Sequence, residues 1–409
     1  MIYERAILAL IEEHLTDKRI SIITGARQVG KTSILRLLYQ KLKSEDQQVF
    51  YLSFEDITIL ASINHHPDRI FDHLRLIPKP ILEGLAQERI YLLIDEVQYA
   101  KDPTQVLKFL YDKYETNLKI VATGSSAFYI DRKFKDSLAG RKRIFHLFPL
   151  SFKEFLIFKK VEDLAVELDV LRERKDYFSP KWNDLKVLLY EYLEFGGYPA
   201  VVLESDLMGK KLQLEELKNA YIKRDMLESG VEKGEKFYLM IQLLADQSGG
   251  MLNKHELANT LKLDAKTVDY YIYVLEKCFH VFLLKPFFRN FRKELTKMPK
   301  VYFNDLGLRN AFVNRYGDVS NRSDRGQLLE NFIYCHLIRK YSIEQIRFWR
   351  TSENYEVDFI VEESFGKGFA LEIKWNNQKP HKKGFQKFIE AYPEFPIYQS
   401  GIEDFFKFV

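Results

Sequence analysis

The chain has 409 residues, 46% of them hydrophobic and 14% aromatic. That is enough for two or three ordinary domains with packed cores, and it excludes wholesale disorder. The net charge of +4 is small for this length, so any electrostatic argument must come from local clusters. The two cysteines, Cys278 and Cys335, form no CxxC and no zinc-spaced cluster with histidine, which suits a reducing compartment. No apolar run approaches the ~18 residues a bilayer span needs. The opening MIYERAILALIEEHL carries acids inside its apolar periodicity and reads as an amphipathic helix, not a signal peptide. A cytoplasmic protein with no membrane partner is the expectation.

Strands and helices alternate in the first third. Arg19–Thr24, Gln48–Ser53, Arg89–Ile94 and Lys119–Thr123 are short apolar runs with strand character. Lys31–Leu42 has helical spacing, with Ile34, Leu35 and Leu38 on one face. This texture predicts an α/β unit with a mostly parallel sheet.

Between the first strand and the first long helix stands GARQVGKT, which fits GxxxxGK[ST] in the required strand–loop–helix context. Gly25, Ala26, Arg27, Gln28, Val29, Gly30, Lys31, Thr32 and Ser33 are therefore the candidate phosphate cradle. Backbone N–H groups line such a loop and the helix N-terminus adds positive potential. Lys31 is placed to reach the β- and γ-phosphates and Thr32 to ligate Mg²⁺. Downstream, an apolar strand delivers Asp95, a second Mg²⁺ ligand, and Glu96, placed to polarise an attacking water. Mg-ATP binding and hydrolysis is the reaction this set predicts. KIVATGSS offers Thr123 or Ser125 as a contact to the γ-phosphate or the water, against simple helix capping. Arg141 or Arg143 is a candidate charge-stabilising arginine, against a solvated basic turn.

TGARQVGKT, YLSFED, LLIDEVQ, TGSS, LAGR and GGYP together resemble the AAA-type ATPases related to the archaeal ATPase family. The resemblance runs nearly the whole chain in order. It implies an AAA-type fold, ATP over GTP, a following domain of unknown function, and assembly as a homo-oligomer in which a neighbour supplies an arginine.

After Pro149 the chain becomes charged and helical, broken at Gly196-Gly197-Tyr198-Pro199. Leu252–Glu276 has helix-turn-helix grammar, with Asp264 as N-cap and Leu257, Ala258, Leu261, Val268, Ile272 and Leu275 as the buried face. Cys278–Lys285 would open a wing, and similar winged-helix modules follow the core in archaeal relatives. The recognition surface (Lys266, Thr267, Asp269, Tyr270) is poor in base, whereas KPFFRNFRKELTKMPK is rich in it. DNA or other nucleic acid is one partner this predicts; an ATPase lid or oligomer contact is the other reading.

At the C-terminus, Glu330 sits on a helical pattern, and Asp358, Glu372 and Lys374 lie at strand ends. Residues two apart share a strand face, so these groups can converge at one sheet edge. Glu330, Asp358 and Glu372 are candidate metal ligands and Lys374 a candidate catalytic lysine. The set resembles the PD-(D/E)xK restriction-endonuclease-like fold, with Val357 where the proline would stand. A metal-dependent nuclease is one reading; a catalytically inactive interaction module is the other. The basic Lys379–Lys387 run suits a phosphate backbone or a solvated helix start.

The expected organisation is a P-loop ATPase core over 1–150, a helical lid or linker over 151–235, a winged-helix-like domain over 236–305, and a restriction-endonuclease-like α/β domain over 306–409.

Overall fold

A computed structural model describes residues 3–74, 89–124, 138–174, 177–288, 297–376 and 382–408. The chain divides into two compact units, one formed by Met1–Phe148 with Lys277–Phe279, the other by Pro149–Glu276 with His280–Val409.

The first unit is built on a five-stranded, all-parallel sheet: β1 (Ile20–Thr24), β2 (Gln48–Ser53), β3 (Ile90–Asp95), β4 (Leu118–Gly124) and β5 (Lys142–His146). The order is β2-β3-β4-β1-β5. β1 and β4, in the middle, are buried at every position, as parallel strands covered on both faces must be. Ile22, Leu92, Ile94 and Ile120 share a core with Val106, Leu107 and Leu110 of the helix Pro103–Tyr114. Each such side chain contributes roughly 1.5–3 kcal/mol on burial. The helix Lys31–Ser44 buries Ile34, Leu35, Leu38 and Leu42, the stripe its spacing predicts.

The second unit starts with helices. Trp182–Phe195 packs against Leu306–Val313, and Gly196-Gly197 forms their joint. Gly196 has φ 74°, and a Cβ there would lie 2.3 Å from Asp305 Oδ1. The Gly197 N–H donates to Asp305 Oδ2 at 2.7 Å, while Asp305 Oδ1 caps the following helix at Leu308 N–H. The GGYP break is thus a close backbone approach that side chains would block.

Further along, helices Lys254–Leu261 and Ala265–Lys277 are joined through left-handed Lys262. Asp264 accepts the Thr267 N–H at 2.9 Å, and the six apolar residues expected to be buried are buried. β6 (Val281–Leu284) and β7 (Lys300–Phe303) then pair antiparallel. Residues 289–296 of the basic run and 379–381 of the second one lie outside the described residues.

The last element is a mixed sheet, β8 (Ile346–Arg350), β9 (Glu356–Ser364), β10 (Lys367–Ile373) and β11 (Ile397–Ser400), in the order β11-β10-β9-β8. β8, β9 and β10 form an antiparallel meander and β11 is parallel to β10. Phe388 and Tyr392 pack with Trp349, Val357, Ile360 and Ala370. Tyr334, on the helix Arg325–Lys340, stacks on Tyr302 and Phe359. Among the described residues no helix is long and apolar enough to cross a membrane.

Candidate functional site

β1 ends at Thr24 and the loop 25–30 turns directly into the helix that begins at Lys31. The loop has no room at its first position: a Cβ on Gly25 would meet Leu147 O at 2.0 Å. Gln28 and Gly30 both have positive φ, so successive N–H groups curl toward one side. The Lys31 ammonium donates to the carbonyls of Gly25 (3.0 Å) and Ala26 (2.8 Å), so it lies over the loop.

The acids sit beside it, at the C-terminal end of β3, the end where open α/β sheets bind ligands. The Thr32 hydroxyl donates to Asp95 Oδ2 at 2.8 Å. The Tyr51 hydroxyl donates to the same oxygen at 2.8 Å, and the Thr123 hydroxyl donates to Oδ1. Burial, and then the bond to Asp95, push the Tyr51 phenol well above its ordinary pKa, so it stays a donor. One hydroxyl and one carboxylate side by side fit Mg²⁺, which takes few protein ligands beside phosphate and water. Glu96 adopts a left-handed conformation, φ 55° and ψ 49°, a strained one for a residue with a long side chain. Its N–H donates to Thr123 Oγ1 at 2.9 Å, and Gln98 donates to its carboxylate. Thr123 therefore spends its proton on Asp95 and a lone pair on Glu96, and it ties the acids together. Ser125 lies outside the described residues.

Arg141 is a correction. The Ile20 N–H donates to Arg141 O at 2.8 Å, which puts Arg141 at the start of β1, while the phosphate loop leaves its end. The five residues of β1 span roughly 16 Å, and the guanidinium is engaged by Asp112 at 2.6 Å. It does not serve the phosphates of its own chain. Arg143, opposite Ser21 in the register, is near the same end.

One residue the sequence reading missed braces the loop. Arg5, buried, donates from Nη1 to Val29 O and from Nη2 to Phe148 O, both at 2.9 Å. Nothing in the opening amphipathic pattern singles it out, because its partners are backbone carbonyls 24 and 143 residues away.

A second constellation lies in the second unit. Glu330, Asp358, Glu372 and Lys374 come together as their spacing predicts: Lys374 Nζ is 2.6 Å from Glu372 Oε1, and the Ile373 N–H donates to Asp358 Oδ2 at 2.8 Å. The surprise is Lys300, on β7. Its ammonium stands 2.9 Å from Glu330 Oε1, 2.5 Å from Glu356 Oε1 and 3.5 Å from Asp358 Oδ1, with 2% of its side chain exposed. Tyr302, two residues on and on the same strand face, donates to Glu330. Burial works against the Lys300 ammonium, but the facing Glu330, Asp358 and Glu356 carboxylates outweigh it and hold its pKa well above the usual value. Burial, then repulsion from Asp358, raises Glu330 to about 7 and Glu372 to about 8. Among the described residues the buried Glu372 Oε2 has no hydrogen-bond partner. The metal set expected from sequence thus needs correcting. Among the described residues no group of three or more His, Cys, Asp or Glu is arranged to hold a metal ion, and the Lys300 ammonium stands between Glu330 and Asp358.

The parallel sheet, the phosphate loop and the acid-ended third strand make a P-loop nucleotide-binding fold. Comparison with known proteins agrees: residues 17–156 match the family model of an AAA domain. Residues 186–318 and 325–402 match two models described as domains of unknown function, DUF8612 and DUF4143. An uncharacterized protein of Methanocaldococcus jannaschii is 29% identical over 334 residues, 78% of this chain and 68% of its own. A second uncharacterized protein of that organism is 26% identical over 392 residues, 93% and 81% of the two chains. Among solved structures, PCH-2 of C. elegans is a remote likeness, with 16% identity, a TM-score of 0.32, and coverage of 53% of this chain and 65% of that one.

Proposed function

We propose that this protein binds Mg-ATP and hydrolyses it, and that the hydrolysis drives or regulates action on a macromolecular partner. The observation that carries this reading is the Thr32–Asp95–Thr123–Glu96 chain of contacts at the mouth of the phosphate loop. Thr32 and Asp95 would hold Mg²⁺, which when bound neutralises charge on the phosphate oxygens. Lys31 swings from the Gly25 and Ala26 carbonyls to the phosphates. Gly25 to Ser33 supply the cradle. Glu96 orients a water for in-line attack, and its strained backbone, fixed by Thr123 and Gln98, aims the carboxylate. The test is a pair of variants. Lys31→Ala loses ATP binding; Glu96→Gln binds ATP but turns it over about 100-fold or more slowly. Wild-type turnover by the Gln variant sinks the role given to Glu96.

The partner follows two lines. In the first, the helix pair 254–277 with the β6–β7 hairpin is a winged-helix-like module on nucleic acid, and the tail, with a PD-(D/E)xK-like fold, cuts phosphodiesters. In the second, ATP state changes contacts in a cytoplasmic homo-oligomer, and the tail is an inactive interaction module. Lys300 among the tail's acids favours the second line, as does Asp269, an acid on the helix that would read bases, ion-paired with Lys254 of the preceding helix. The fourfold division into 1–150, 151–235, 236–305 and 306–409 belongs to the same proposal. Incubation of wild type with single- and double-stranded DNA and RNA plus Mg²⁺, with and without ATP, separates the lines. Nicking that vanishes in Lys374→Ala restores the first.

A further inference from the structure

We propose that the Lys300 ammonium is a built-in substitute for the divalent cation that a restriction-endonuclease-like tail would take, so that the carboxylate cluster is a metal-independent joint between the β6–β7 hairpin and the tail. The inference rests on the tail's proposed fold, but its test does not depend on whether the tail cuts anything.

A hard divalent cation needs several oxygens converging at about 2.0–2.6 Å with lone pairs to spare. Here six of the eight carboxylate oxygens of Glu330, Glu356, Asp358 and Glu372 face N–H or O–H donors among the described residues. Glu330 Oε1 accepts from Lys300 and Tyr302; Glu356 Oε1 faces Lys300 and its Oε2 faces Arg350 at 3.2 Å. Asp358 Oδ1 faces Lys300 and Oδ2 accepts from Ile373 N–H. Glu372 Oε1 faces Lys374. Among the described residues the buried Glu372 Oε2 has no donor. That is what remains when a point charge with three donors replaces an ion that can take six ligands.

The ammonium is also unable to leave easily. Lys300 is in β7, opposite Leu284 of β6 in the register, and bridges to Met251 on its other side. Its side chain passes over the Phe348 ring, with Nζ 5.6 Å from the centroid. Withdrawing it would strip the only buried cation facing Glu330 among the ion pairs of the described residues, a costly step in a low-dielectric setting. The position also explains why two lysines serve one cluster. Lys374, with 39% of its side chain exposed, has the solvent-facing place of a catalytic lysine, while Lys300, at 2%, has the interior place of an ion.

The experiment titrates full-length protein, without nucleotide, with Mn²⁺ alone, and reads free Mn²⁺ by its paramagnetic resonance signal. Four forms are compared: wild type, Asp358→Asn, Lys300→Met, and Lys300→Met with Asp358→Asn. Wild type and Asp358→Asn should bind alike, since the cluster takes no Mn²⁺ in either. Lys300→Met should gain a site at least about tenfold tighter, because the vacated oxygens then face one another, and the double variant should lose it. A tenfold or greater drop in Mn²⁺ binding on Asp358→Asn in the wild-type background overturns the proposal, as does a folded Lys300→Met that gains no site. If Lys300→Met does not fold, the wild-type and Asp358→Asn pair decides alone. Metal-free nicking by the wild type would sink the inactive-tail reading and leave this one standing; Mn²⁺ bound at Asp358 without cleavage would do the reverse.

Discussion

Arg5 shows how a single side chain can matter to a site it never touches. Its two bonds to backbone carbonyls hold the phosphate loop at Val29 against Phe148. Charge-assisted bonds of this kind are worth about 1.5–3 kcal/mol each, and part of that tension will appear in nucleotide affinity. Arg5→Ala should raise the Kd for ATP about tenfold while leaving the far-ultraviolet circular dichroism unchanged; an unaltered Kd by calorimetry would show that the loop holds its shape without the brace. Tyr51→Phe is the milder companion. It removes one of three donors to Asp95, so kcat should fall a few-fold with Kd for ATP little changed. Site residues divide sharply by legibility. The placement of Lys31 and Thr32 at the loop, and of Asp95 and Glu96 at the end of β3, was readable because a phosphate-binding role would require a contiguous motif and a strand end. Arg5, Tyr51 and Lys300 were not, because each acts through a contact distant in sequence. Lys300 stands 58 residues from Asp358, at the end of a basic run read as a nucleic-acid contact or an ATPase lid or oligomer contact.

Strands and joints tell a similar story one level up. β1 to β4 could be read because buried parallel strands are continuous apolar runs. β5, KRIFH, was missed: it lies at the sheet edge, where Arg143, Ile144 and His146 are exposed. β11, IYQS, was missed because it is only four residues long and only Ser400 is buried. GGYP was legible as a break but not as a joint, since the Asp305 that fills it is more than a hundred residues on. Gly196→Ala should lower stability by about 3 kcal/mol, from the forced left-handed backbone and the clash with Asp305, read as a shift in the urea midpoint. A second prediction concerns the helix Arg325–Lys340. His336 Nε2 accepts the Phe152 N–H at 3.1 Å and Nδ1 donates to Phe332 O at 2.8 Å, which requires the neutral ring. Burial, then the Arg339 charge, lowers its pKa from 6.5 to about 3. The unfolded chain therefore gains a proton below pH 6.5 that the folded chain refuses. The neutral ring's contribution is intact above pH 6.5 and is lost as pH falls toward 3, by at most about 5 kcal/mol. His336→Gln should flatten that part of the stability-versus-pH curve; an unchanged slope would assign acid lability elsewhere.

At the scale of the whole molecule, each of the two units carries its own core, and only the first carries the phosphate loop. Ligand at about 100 times its Kd adds roughly 2.7 kcal/mol to the unfolding of whatever folded structure binds it. Mg-ATP should therefore raise the calorimetric transition of the first unit, and Lys31→Ala should abolish the rise. The mixed sheet at the other end of the chain behaves differently with respect to its surroundings. A divalent ion is held by mass action: it departs when its free concentration falls, and a chelator removes it. The Lys300 ammonium is tethered by its own backbone, one per chain, at an effective concentration no buffer can dilute. A joint closed that way forms as soon as the chain folds, keeps its stoichiometry through swings in cellular magnesium, and is blind to EDTA, whereas the proposed Mg-ATP site would respond to every change in free Mg²⁺.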